Sequence, residues 1–565
     1  MRAARPFSLQ SYRPLAAGLC AIAWLLRLHA IGRQRLWYDE ALSVAQARES
    51  LPRLIADLAQ HDVHPPLYFS LLHYWMLAVG DSELAVRLLS ACFSTLAVAV
   101  CYALAARLGG RLAGTSVAVC ATVSPLLIYY GQETRMYALL AVLATLAGYA
   151  FFRAVQGESR WWLAYLAFQS AALWTQLYAA LLFAALNLWY VGRIAYQVKS
   201  VGGTGRAFSW QQYFVQYRHW ALSQVGVLLL FLPWFPVARG NFQHYTSPGL
   251  GSSLGTVLRR TVLVFALGYP ATNPTTPTWL PATLTGLTRA PALYVPFLLA
   301  VAMGAIAAIV RRRFYTLAWL LLPVVGITLA SVGKRDFNAR YLMEAAPAAL
   351  VLAGTGILWL WHSRGTRVAG VLLALAVLSA DGLTVSRMYA DPAYARDDNR
   401  GAVALIAQEA IPGAVVVLDA SYMEPAFQYY ARDRWPISHL PAVLPAHPAG
   451  VDGYLAQFTR ARTQVWLVLW QDYYSDPHRV VWNWLLQHFY VAEWQDFQGG
   501  IKVLRFDALP ANGLQSADVT LGNTLRLQGY AVHRGPAAGI MDLDLYWYAI
   551  QRPAIDLLIS PSPPT

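Results

Sequence analysis

Two adjacent carboxylates, Asp39 and Glu40, lie in the stretch LWYDEALS, directly after the first long apolar run of the chain. Trp37 and Tyr38 precede them and are residue types that anchor a chain at the membrane surface. A carboxylate that is held there and partly removed from water can be tuned toward a general base. The alternative is an ordinary solvated pair in a loop, and the aromatic neighbours favour the catalytic interpretation.

A second polar cluster, HDVHPP, contains His61, Asp62 and His64. Two histidines and an aspartate within four residues are compatible with a metal ion, but this spacing is common and metal binding is the weaker interpretation. The two prolines force an extended entry into the next helix, and His64 at that bend suits donation to a phosphate. The alternative is a turn with exposed polar residues.

A third cluster lies in YYGQETRMYAL, at a tight turn between two apolar runs, and contains Glu133, Arg135 and Tyr137. A charge with so little room to leave the membrane surface is a functional hypothesis by default. Arg135 is predicted to line a phosphate site, with Glu133 and Tyr137 as secondary candidates. The alternative is an arginine that extends to the interface with Glu133 as its partner.

A fourth cluster, GKRDFNARYL, supplies Lys334, Arg335, Arg340 and Tyr341. These bases lie on the side of the membrane where bases are rare, so an anionic partner at the outer surface would explain them. Bases suit a phosphate, and a carboxylate suits deprotonation of a hydroxyl. The four clusters together indicate transfer from a lipid-phosphate donor whose head group sits at the outer leaflet.

The composition predicts a membrane protein that holds these clusters. Of the 565 residues, 57% are hydrophobic and 13% are charged, against a usual charged share of about a quarter. The 21 Trp and 32 Tyr fit interfacial positions. The four cysteines all lie in apolar runs, and their spacing suits neither a zinc site nor a disulfide framework. We expect no metal or other cofactor, with a divalent metal as the alternative.

The apolar runs predict eleven membrane-spanning helices. No internal repeat is evident, and the first run is too long for a cleaved signal peptide and is expected to stay as an anchor. The predicted spans are 15–32, 83–106, 112–130, 136–153, 161–178, 179–195, 220–237, 293–310, 314–331, 341–361 and 368–386.

Charge predicts the orientation of these spans. With a cytoplasmic N-terminus, the inside segments hold sixteen Lys and Arg residues and one acid, Glu158. The net charge of +14 is therefore a topology signal under the positive-inside rule, and nucleic-acid binding is not needed to explain it. We expect a multi-pass protein of the inner (plasma) membrane, with the N-terminus in the cytoplasm and the C-terminal domain outside.

The predicted domain organisation is a transmembrane domain followed by soluble modules. Residues 1–386 form the membrane domain, in which 33–82 is a first outer loop with interfacial helices and 238–292 is a second outer loop without regular structure. Residues 387–507 alternate helical and strand patterns and predict an extracytoplasmic α/β domain. Residues 508–565 are predicted as a partial β module with a tail.

The motifs LWYDEALS, HDVHPPLYFSLLHYWML, ELAVRLLSACFSTLAV, SPLLIYYGQETRMYALL and NARYLMEAAPA occur in an order that resembles the membrane glycosyltransferases of family 39. This family has the GT-C fold and includes protein mannosyltransferases and lipid A aminoarabinose transferases. The resemblance is strong over 1–190 and 334–350, and weaker over 220–330. DDNRGAVALIAQEAIPGAVVVL is similar to a periplasmic domain of bacterial relatives.

The resemblance implies transfer of a sugar, with inversion, from a polyprenyl phosphate to an acceptor hydroxyl of a lipid, glycan or protein. Asp39 would be the catalytic carboxylate with Glu40 beside it, and Arg135 and the arginines of KRDFNARY would contact the phosphate. Aminoarabinose transferases carry an acid and a lysine before the two prolines, where this chain has Val63 and His64. We therefore expect a metal-independent enzyme in which His64 replaces the lysine.

Two other classes of function stay open at the level of sequence. One is a transporter or a flippase for lipid-linked sugars, although such proteins tend to show repeated halves and ionisable groups near the middle of the membrane. The other is a non-catalytic member whose outer domain binds glycan. The expected partners are the polyprenyl-phosphate sugar donor, membrane lipids and an unidentified acceptor, without nucleic acid.

Overall fold

The computed structural model describes residues 13–202, 210–244, 253–268, 291–332, 339–391, 394–440, 448–508, 515–521, 525–534 and 541–549. The chain divides into two compact units, residues 1–396 and 397–565. The first unit is helical, and the second contains two β-sheets. This is the predicted fold class: a helical membrane protein with a sheet-rich C-terminal region.

The helices of the first unit are numbered in chain order. They are α1 (Arg13–Leu28), α2 (Tyr38–Arg48), α3 (Leu51–His61), α4 (Leu67–Val79), α5 (Glu83–Gly109), α6 (Arg111–Val123), α7 (Pro125–Gly131), α8 (Tyr137–Val155), α9 (Trp161–Thr175), α10 (Ala179–Gly202), α11 (Trp210–Phe231), α12 (Phe235–His244), α13 (Leu254–Leu267), α14 (Val295–Val310), α15 (Tyr315–Ser331), α16 (Ala346–His362) and α17 (Arg367–Ala390).

The length and hydropathy of these helices identify a multi-pass membrane protein. Among the described residues, four helices (α5, α8, α10 and α17) are long and apolar enough to cross a membrane, or up to six spans if each of two bent pairs is one. Each of the eleven predicted apolar runs overlaps a helix. Several of these helices are shorter than a full span, so the predicted number of spans stays a prediction.

The two bent pairs owe their bends to proline. Helices α6 and α7 meet at 55° across Ser124, and Pro125 is the first residue of α7. Helices α11 and α12 meet at 61°, with Pro233 in the connection. Proline has no N–H for the preceding turn and its ring clashes with that turn, so the helix cannot continue straight.

Close packing of α14 against α16 relies on two glycines. A Cβ on Gly304 would lie 2.0 Å from the carbonyl oxygen of Leu352, and a Cβ on Gly356 would lie 2.1 Å from that of Ala300. Small residues let two helix backbones approach in a membrane, where apolar burial alone does not drive association. The contact fixes α16 in the bundle, and the segment that precedes α16 carries Arg340.

The two predicted outer loops contain helices. Residues 33–82 form α2, α3 and α4. The segment 238–292 was expected to have no regular structure, but α12 continues to His244 and α13 lies within the segment. The α13 sequence LGTVLRRTVLVFAL is mostly apolar, its only charged residues are Arg259 and Arg260, and it buries Val257, Leu263 and Val264 against the rest of the bundle. The remainder, 245–252 and 269–290, lies outside the described residues.

The second unit holds a five-stranded mixed sheet in the order β2-β1-β3-β5-β4. Strands β1, β2 and β3 are parallel, and β5 is antiparallel to both β3 and β4. The strands are β1 (Val415–Asp419), β2 (Ile437–Leu440), β3 (Gln464–Leu469), β4 (Tyr490–Phe497) and β5 (Ile501–Asp507). The helices are α18 (Asn399–Glu409), α19 (Glu424–Ala431), α20 (Pro448–Phe458), α21 (Asp472–Ser475) and α22 (Val480–His488).

A three-stranded antiparallel sheet follows in the same unit, formed by β6 (Gln515–Leu521), β7 (Leu525–Arg534) and β8 (Met541–Ala549). In the larger sheet, every residue of β1 and β3 is buried. Such continuous apolar strands are typical of parallel strands that are covered on both faces. This explains why VVVLD and QVWLVL are runs without alternation.

Candidate functional site

The two carboxylates of LWYDEALS lie in the first turn of α2. Trp37 is extended and Tyr38 begins the helix, so Asp39 and Glu40 follow immediately. Acidic side chains at a helix N-terminus are stabilised by the helix dipole. Neighbouring residues on an α-helix point about 100° apart, so the two carboxylates enter different surroundings.

The Asp39 carboxylate faces Arg340. Its Oδ2 accepts a hydrogen bond of 2.8 Å from Nη1 of Arg340, and 15% of the Asp39 side chain remains accessible to solvent. Burial raises the pKa of Asp39, but the charges of Arg340 and Arg135 outweigh it and hold the pKa below its ordinary value. Partial desolvation was expected to tune this carboxylate toward a general base, and the neighbouring arginines have the opposite effect on its pKa.

The Glu40 carboxylate is fully buried and enclosed by donors. Arg87 on α5 donates to both of its oxygens at 2.9 and 2.8 Å, and the backbone N–H of Thr134 donates to Oε1 at 2.8 Å. Arg396 donates to Oε2 from a third direction. Burial raises the pKa of Glu40, but the Arg396 and Arg87 charges outweigh it and lower the pKa to about 2. This surrounding suits a structural anion.

Arg87 also fixes the chain that leads into α2. Its Nη1 donates to the carbonyl oxygens of Ile31 and Gln34 at 2.8 and 2.7 Å, and its Nη2 donates to that of Arg35 at 2.8 Å. One buried guanidinium therefore satisfies three backbone carbonyls and the Glu40 carboxylate. The position of Asp39 depends on this arrangement, because Asp39 directly precedes Glu40.

Glu133 lies beside Arg396 rather than beside the Arg135 side chain. Its Oε2 is 3.7 Å from Nη2 of Arg396, and its Oε1 has no hydrogen-bond partner among the described residues. Burial, opposed by the charge of Arg396, raises the pKa of Glu133 to about 7. Arg135 is also buried, and its Nη1 donates to Ser43 Oγ at 3.0 Å and to the carbonyl oxygen of Asp39 at 3.4 Å.

His64 and Asp62 form a second acid–base pair near the carboxylates. His64 Nδ1 is 2.6 Å from Asp62 Oδ1, and the His64 backbone N–H donates to the same oxygen at 2.9 Å. Burial raises the pKa of Asp62, but His64 outweighs it and lowers the pKa. His61 lies apart from this pair, exposed and 3.0 Å from Asp57. Asp62 therefore orients His64 and leaves Nε2 as the available nitrogen.

Aromatic rings surround the Arg340 guanidinium. Its Cζ lies 5.6 Å from the ring centre of Tyr137, 5.8 Å from that of Tyr341 and 6.0 Å from that of Trp37. Tyr341 stacks on Tyr178 with ring centres 4.9 Å apart. Rings at this distance stabilise a cation and restrict its orientation. The rings of Trp37, Tyr137 and Tyr341 thus hold the Arg340 guanidinium in an orientation that faces Asp39.

Most of the predicted site residues come together in the first unit. The structure gathers residues from four separate segments of the chain, namely Asp39, Glu40, Asp62, His64, Glu133, Arg135, Tyr137, Arg340 and Tyr341. Lys334 and Arg335 lie outside the described residues. Among the described residues, no group of three or more His, Cys, Asp and Glu side chains is placed to hold a metal ion.

Two buried arginines of the cluster are absent from the predicted set. Arg87 sits in ELAVRLLS, where an arginine inside an otherwise apolar helix was a signal that it serves a buried anion. Arg396 follows the last membrane helix in a polar stretch, RDDNR, which carries no pattern that marks it. Both contact Glu40, so the pairing of one acid with two distant arginines appears only in three dimensions.

Comparisons with known proteins agree with the architecture. Residues 63–200 match the family described as dolichyl-phosphate-mannose-protein mannosyltransferase. No match is found among curated protein sequences.

Three solved structures are similar in fold. ArnT from Cupriavidus metallidurans in the apo state superposes with a TM-score of 0.54 at 15% identity, over 87% of this chain and 98% of that one. The same protein bound to undecaprenyl phosphate superposes with a TM-score of 0.53 at 15% identity, over 88% of this chain and 98% of that one. The Archaeoglobus fulgidus oligosaccharyltransferase complex with zinc and sulfate superposes with a TM-score of 0.52 at 12% identity, over 87% of this chain and 74% of that one.

Proposed function

We propose that this multi-pass membrane protein, which has the fold of the GT-C glycosyltransferases, transfers a sugar from a polyprenyl-phosphate donor to an acceptor hydroxyl at the outer face of the membrane. The observation that carries the proposal is the Asp39–Arg340 pair, in which a partly accessible carboxylate lies 2.8 Å from a guanidinium. The pair thus places a carboxylate that can accept the proton of a hydroxyl next to a guanidinium that can bind a phosphate.

The donor is assigned from the charge of the cluster. Arg340, Arg135 and His64 present positive or donating groups around one accessible carboxylate. Arginine suits a phosphate because its planar fork donates two parallel hydrogen bonds. The ArnT structure with undecaprenyl phosphate is of a protein with the same fold, which supports a polyprenyl phosphate as the lipid part. Lys334 and Arg335 lie outside the described residues, and their charges are proposed to add to those around the donor phosphate.

The proposed reaction is a single displacement with inversion. The acceptor oxygen attacks the anomeric carbon while its proton passes to Asp39, and the bond from that carbon to the phosphate oxygen breaks. The electron pair of this bond leaves with the polyprenyl phosphate, whose charge Arg340 and Arg135 stabilise. A phosphate leaves readily, so the reaction requires no strong general acid. The geometry follows the logic of inverting hydrolysis, with the acceptor in place of water.

The low pKa of Asp39 fits this sequence of events. Arg340 holds the carboxylate ionised before the donor arrives. When a donor phosphate binds Arg340, it partly neutralises the positive charge of the guanidinium. We expect the pKa of Asp39 to rise as a result, because that charge is what lowers it. Asp39 would then become a stronger base only in the presence of the donor. Glu40 is assigned a structural role, because its oxygens are already bonded to Arg87, Arg396 and Thr134.

The orientation is proposed from charge. The ends of α5 and α14 and the turn after α14 carry Arg107 and Arg311 to Arg313, at the opposite end of the helices from Asp39. The positive-inside rule assigns this basic end to the cytoplasm. Asp39 and the second unit would then lie outside.

A transfer assay with the full-length protein in detergent tests the function. Radiolabelled undecaprenyl-phosphate sugars, including mannose and aminoarabinose, are incubated with membrane lipids and extracytoplasmic proteins as acceptors. We expect label to move to one acceptor class and to depend on Asp39. Movement of the labelled donor across liposomes without product would instead favour a flippase. Mass spectrometry of glycolipids and glycoproteins from a deletion strain identifies the acceptor.

A further inference from the structure

A large cavity lies far from the carboxylate site. It has a volume of about 1500 Å³ and lies between the ends of α5, α8, α10, α14 and α16. Helix α5 carries Arg87 at the carboxylate site and Arg107 in the wall of this cavity. Twenty residues of α-helix separate them, which corresponds to about 30 Å, the thickness of the hydrocarbon layer. The cavity is therefore at the opposite membrane surface.

The polar part of the cavity wall is strongly basic. Five arginines and one histidine line it, and no Asp or Glu does; the basic residues are Arg107, Arg193, Arg311, Arg312, Arg313 and His362. Some of this charge is engaged, because Arg107 bonds to Gln156 at 2.9 Å and to Glu158 at 2.6 Å. The Cζ atom of Arg193 lies 5.8 Å from the ring centre of Trp189. Among the described residues, the ion pairs at this end of the helices are those of Arg107 and Arg153 with Glu158, and none includes Arg193, Arg311 or Arg312.

Another part of the cavity wall is apolar. It is formed by small and aliphatic residues of four helices, including Ala113, Leu188, Gly304, Ala308, Leu352 and Leu358. Leu188 leaves 59% of its surface accessible, so its side chain is open to a ligand, whereas Ala113, Ala308 and Leu352 are buried behind the surface of the wall. A free phosphate would meet the arginines but would leave the apolar wall in contact with water, which is unfavourable. A ligand with an anionic head and a hydrocarbon tail fits both parts.

The positive-inside rule explains why bases are frequent in loops at this surface. It does not explain why arginines from three separate segments line one cavity whose wall contains no Asp or Glu. The volume also exceeds the roughly 300–1000 Å³ that is typical of small-molecule sites, which leaves room for an acyl chain beside the head group.

We propose that this cavity binds an anionic phospholipid, with the phosphate on Arg193, Arg311 and Arg312 and an acyl chain along the apolar wall. Basic pockets between membrane helices recognise anionic head groups in this way. The site is separate from the proposed donor site and does not depend on the proposed transferase activity.

Native mass spectrometry of the full-length protein in detergent, with added phosphatidylglycerol or phosphatidylcholine, tests the proposal. The triple variant Arg193→Gln, Arg311→Gln, Arg312→Gln should bind phosphatidylglycerol about tenfold or more weakly, since each base near the head group contributes separately. A matched triple variant, Arg160→Gln, Arg218→Gln, Arg364→Gln, removes three exposed arginines that do not line the cavity. Its binding should equal that of the parent protein.

The triple variant Arg193→Lys, Arg311→Lys, Arg312→Lys keeps the charge and should retain most of the binding, which separates loss of the site from loss of the fold. Excess inorganic phosphate should not displace the lipid. Equal retention of phosphatidylglycerol by the glutamine triple and the matched triple would overturn the proposal. Displacement by inorganic phosphate, or equal binding of phosphatidylcholine, would do the same.

Discussion

Arg87 and Glu40 form a buried ion pair through two hydrogen bonds of 2.9 and 2.8 Å, with 1% and 0% of their side chains accessible to solvent. The adjacent carboxylate, Asp39, keeps 15% of its side chain accessible. The first turn of α2 thus holds the Glu40 carboxylate in the protein interior and leaves the Asp39 carboxylate partly accessible at the candidate site. We expect the two acids to respond differently to substitution.

Replacement of Glu40 by Gln should mainly affect stability. The amide keeps the shape but leaves Arg87 and Arg396 without their anion in a buried position. Breaking one partner of a buried pair typically costs about 3–5 kcal/mol. We expect a clear drop in the unfolding temperature of the Glu40→Gln variant in detergent, measured by scanning fluorimetry.

An exposed ion pair of the same segment provides the control. Arg53 and Glu49 are 3.8 Å apart, with 81% and 51% of their side chains accessible. Exposed pairs contribute about 0–1 kcal/mol, so Glu49→Gln should leave the unfolding temperature nearly unchanged. Equal effects of the two substitutions would contradict the structural role of Glu40.

Much of the fold of both units could be predicted from local patterns in the sequence. Apolar runs marked the helices, and the out-of-place bases around Arg340 and Arg135 marked a site. In the second unit, the alternation of helix and strand patterns marked α18, β1, α20, β3 and α22. Such predictions succeed because each depends on the residues of one short segment.

The parts that sequence reasoning missed depend on distant contacts. Glu40 is 47 residues from Arg87 and 356 from Arg396, and no local pattern joins them.

The hairpin β4–β5 also escaped prediction. The burial of β4 is irregular, and a register shift interrupts its pairing with β5 between Val491 and Glu493. The low pKa of Asp39 also depends on a distant contact, because Arg340 approaches from 301 residues away.

Arg135→Ala should weaken use of the lipid-phosphate donor. A hydrogen bond to a charged group contributes about 1.5–3 kcal/mol, which corresponds to a loss of roughly 10-fold to 150-fold in donor affinity. Binding of undecaprenyl phosphate to the purified variant measures this directly. Arg53→Ala removes an exposed arginine of the same unit and should not change the affinity. Unchanged donor binding in folded Arg135→Ala would remove Arg135 from the site.

We expect the stability of the folded protein to depend on pH because of the buried carboxyl of Glu133. Its pKa is raised to about 7 in the folded protein, above about 4.3 for an unperturbed Glu, so the folded state holds the proton more tightly. The stabilisation from this proton is complete below about pH 4 and is lost as the pH rises through about 7. Glu133→Gln removes this loss.

The unfolding temperature of Glu133→Gln relative to the parent protein should therefore increase between pH 5 and pH 8 in detergent. Glu49→Gln, at an exposed site, should show a constant difference over the same range. A constant difference for Glu133→Gln as well would mean that Glu133 titrates as an ordinary carboxyl.

The orientation is tested by reporter fusions. The charge asymmetry predicts that Thr565 lies outside and that residues 200–206 lie in the cytoplasm. A reporter that is active only in the cytoplasm should be silent after Thr565 and active within 200–206. Strong activity after Thr565 would reverse the orientation and would put Asp39 on the cytoplasmic side.

Asp39→Asn should nearly abolish sugar transfer. The amide keeps the size of the side chain but cannot accept the proton of the acceptor hydroxyl. Loss of a general base typically costs about 10²–10⁴ in rate, so we expect a residual rate in that range with label from an undecaprenyl-phosphate sugar. Donor binding should persist, because Arg340 and Arg135 remain, and it should strengthen if the phosphate no longer competes with Asp39 for Arg340.

The Asp39→Asn variant is compared with Glu40→Gln under the same conditions, since the two changes remove one charge each from adjacent positions. The first should lose rate with a modest change in unfolding temperature, because Asp39 is partly accessible. The second should lose stability, and its rate per folded molecule should fall less. If Asp39→Asn transfers sugar near the parental rate while it stays folded and binds donor, Asp39 is not the base, and its pairing with Arg340 serves only to hold the loop.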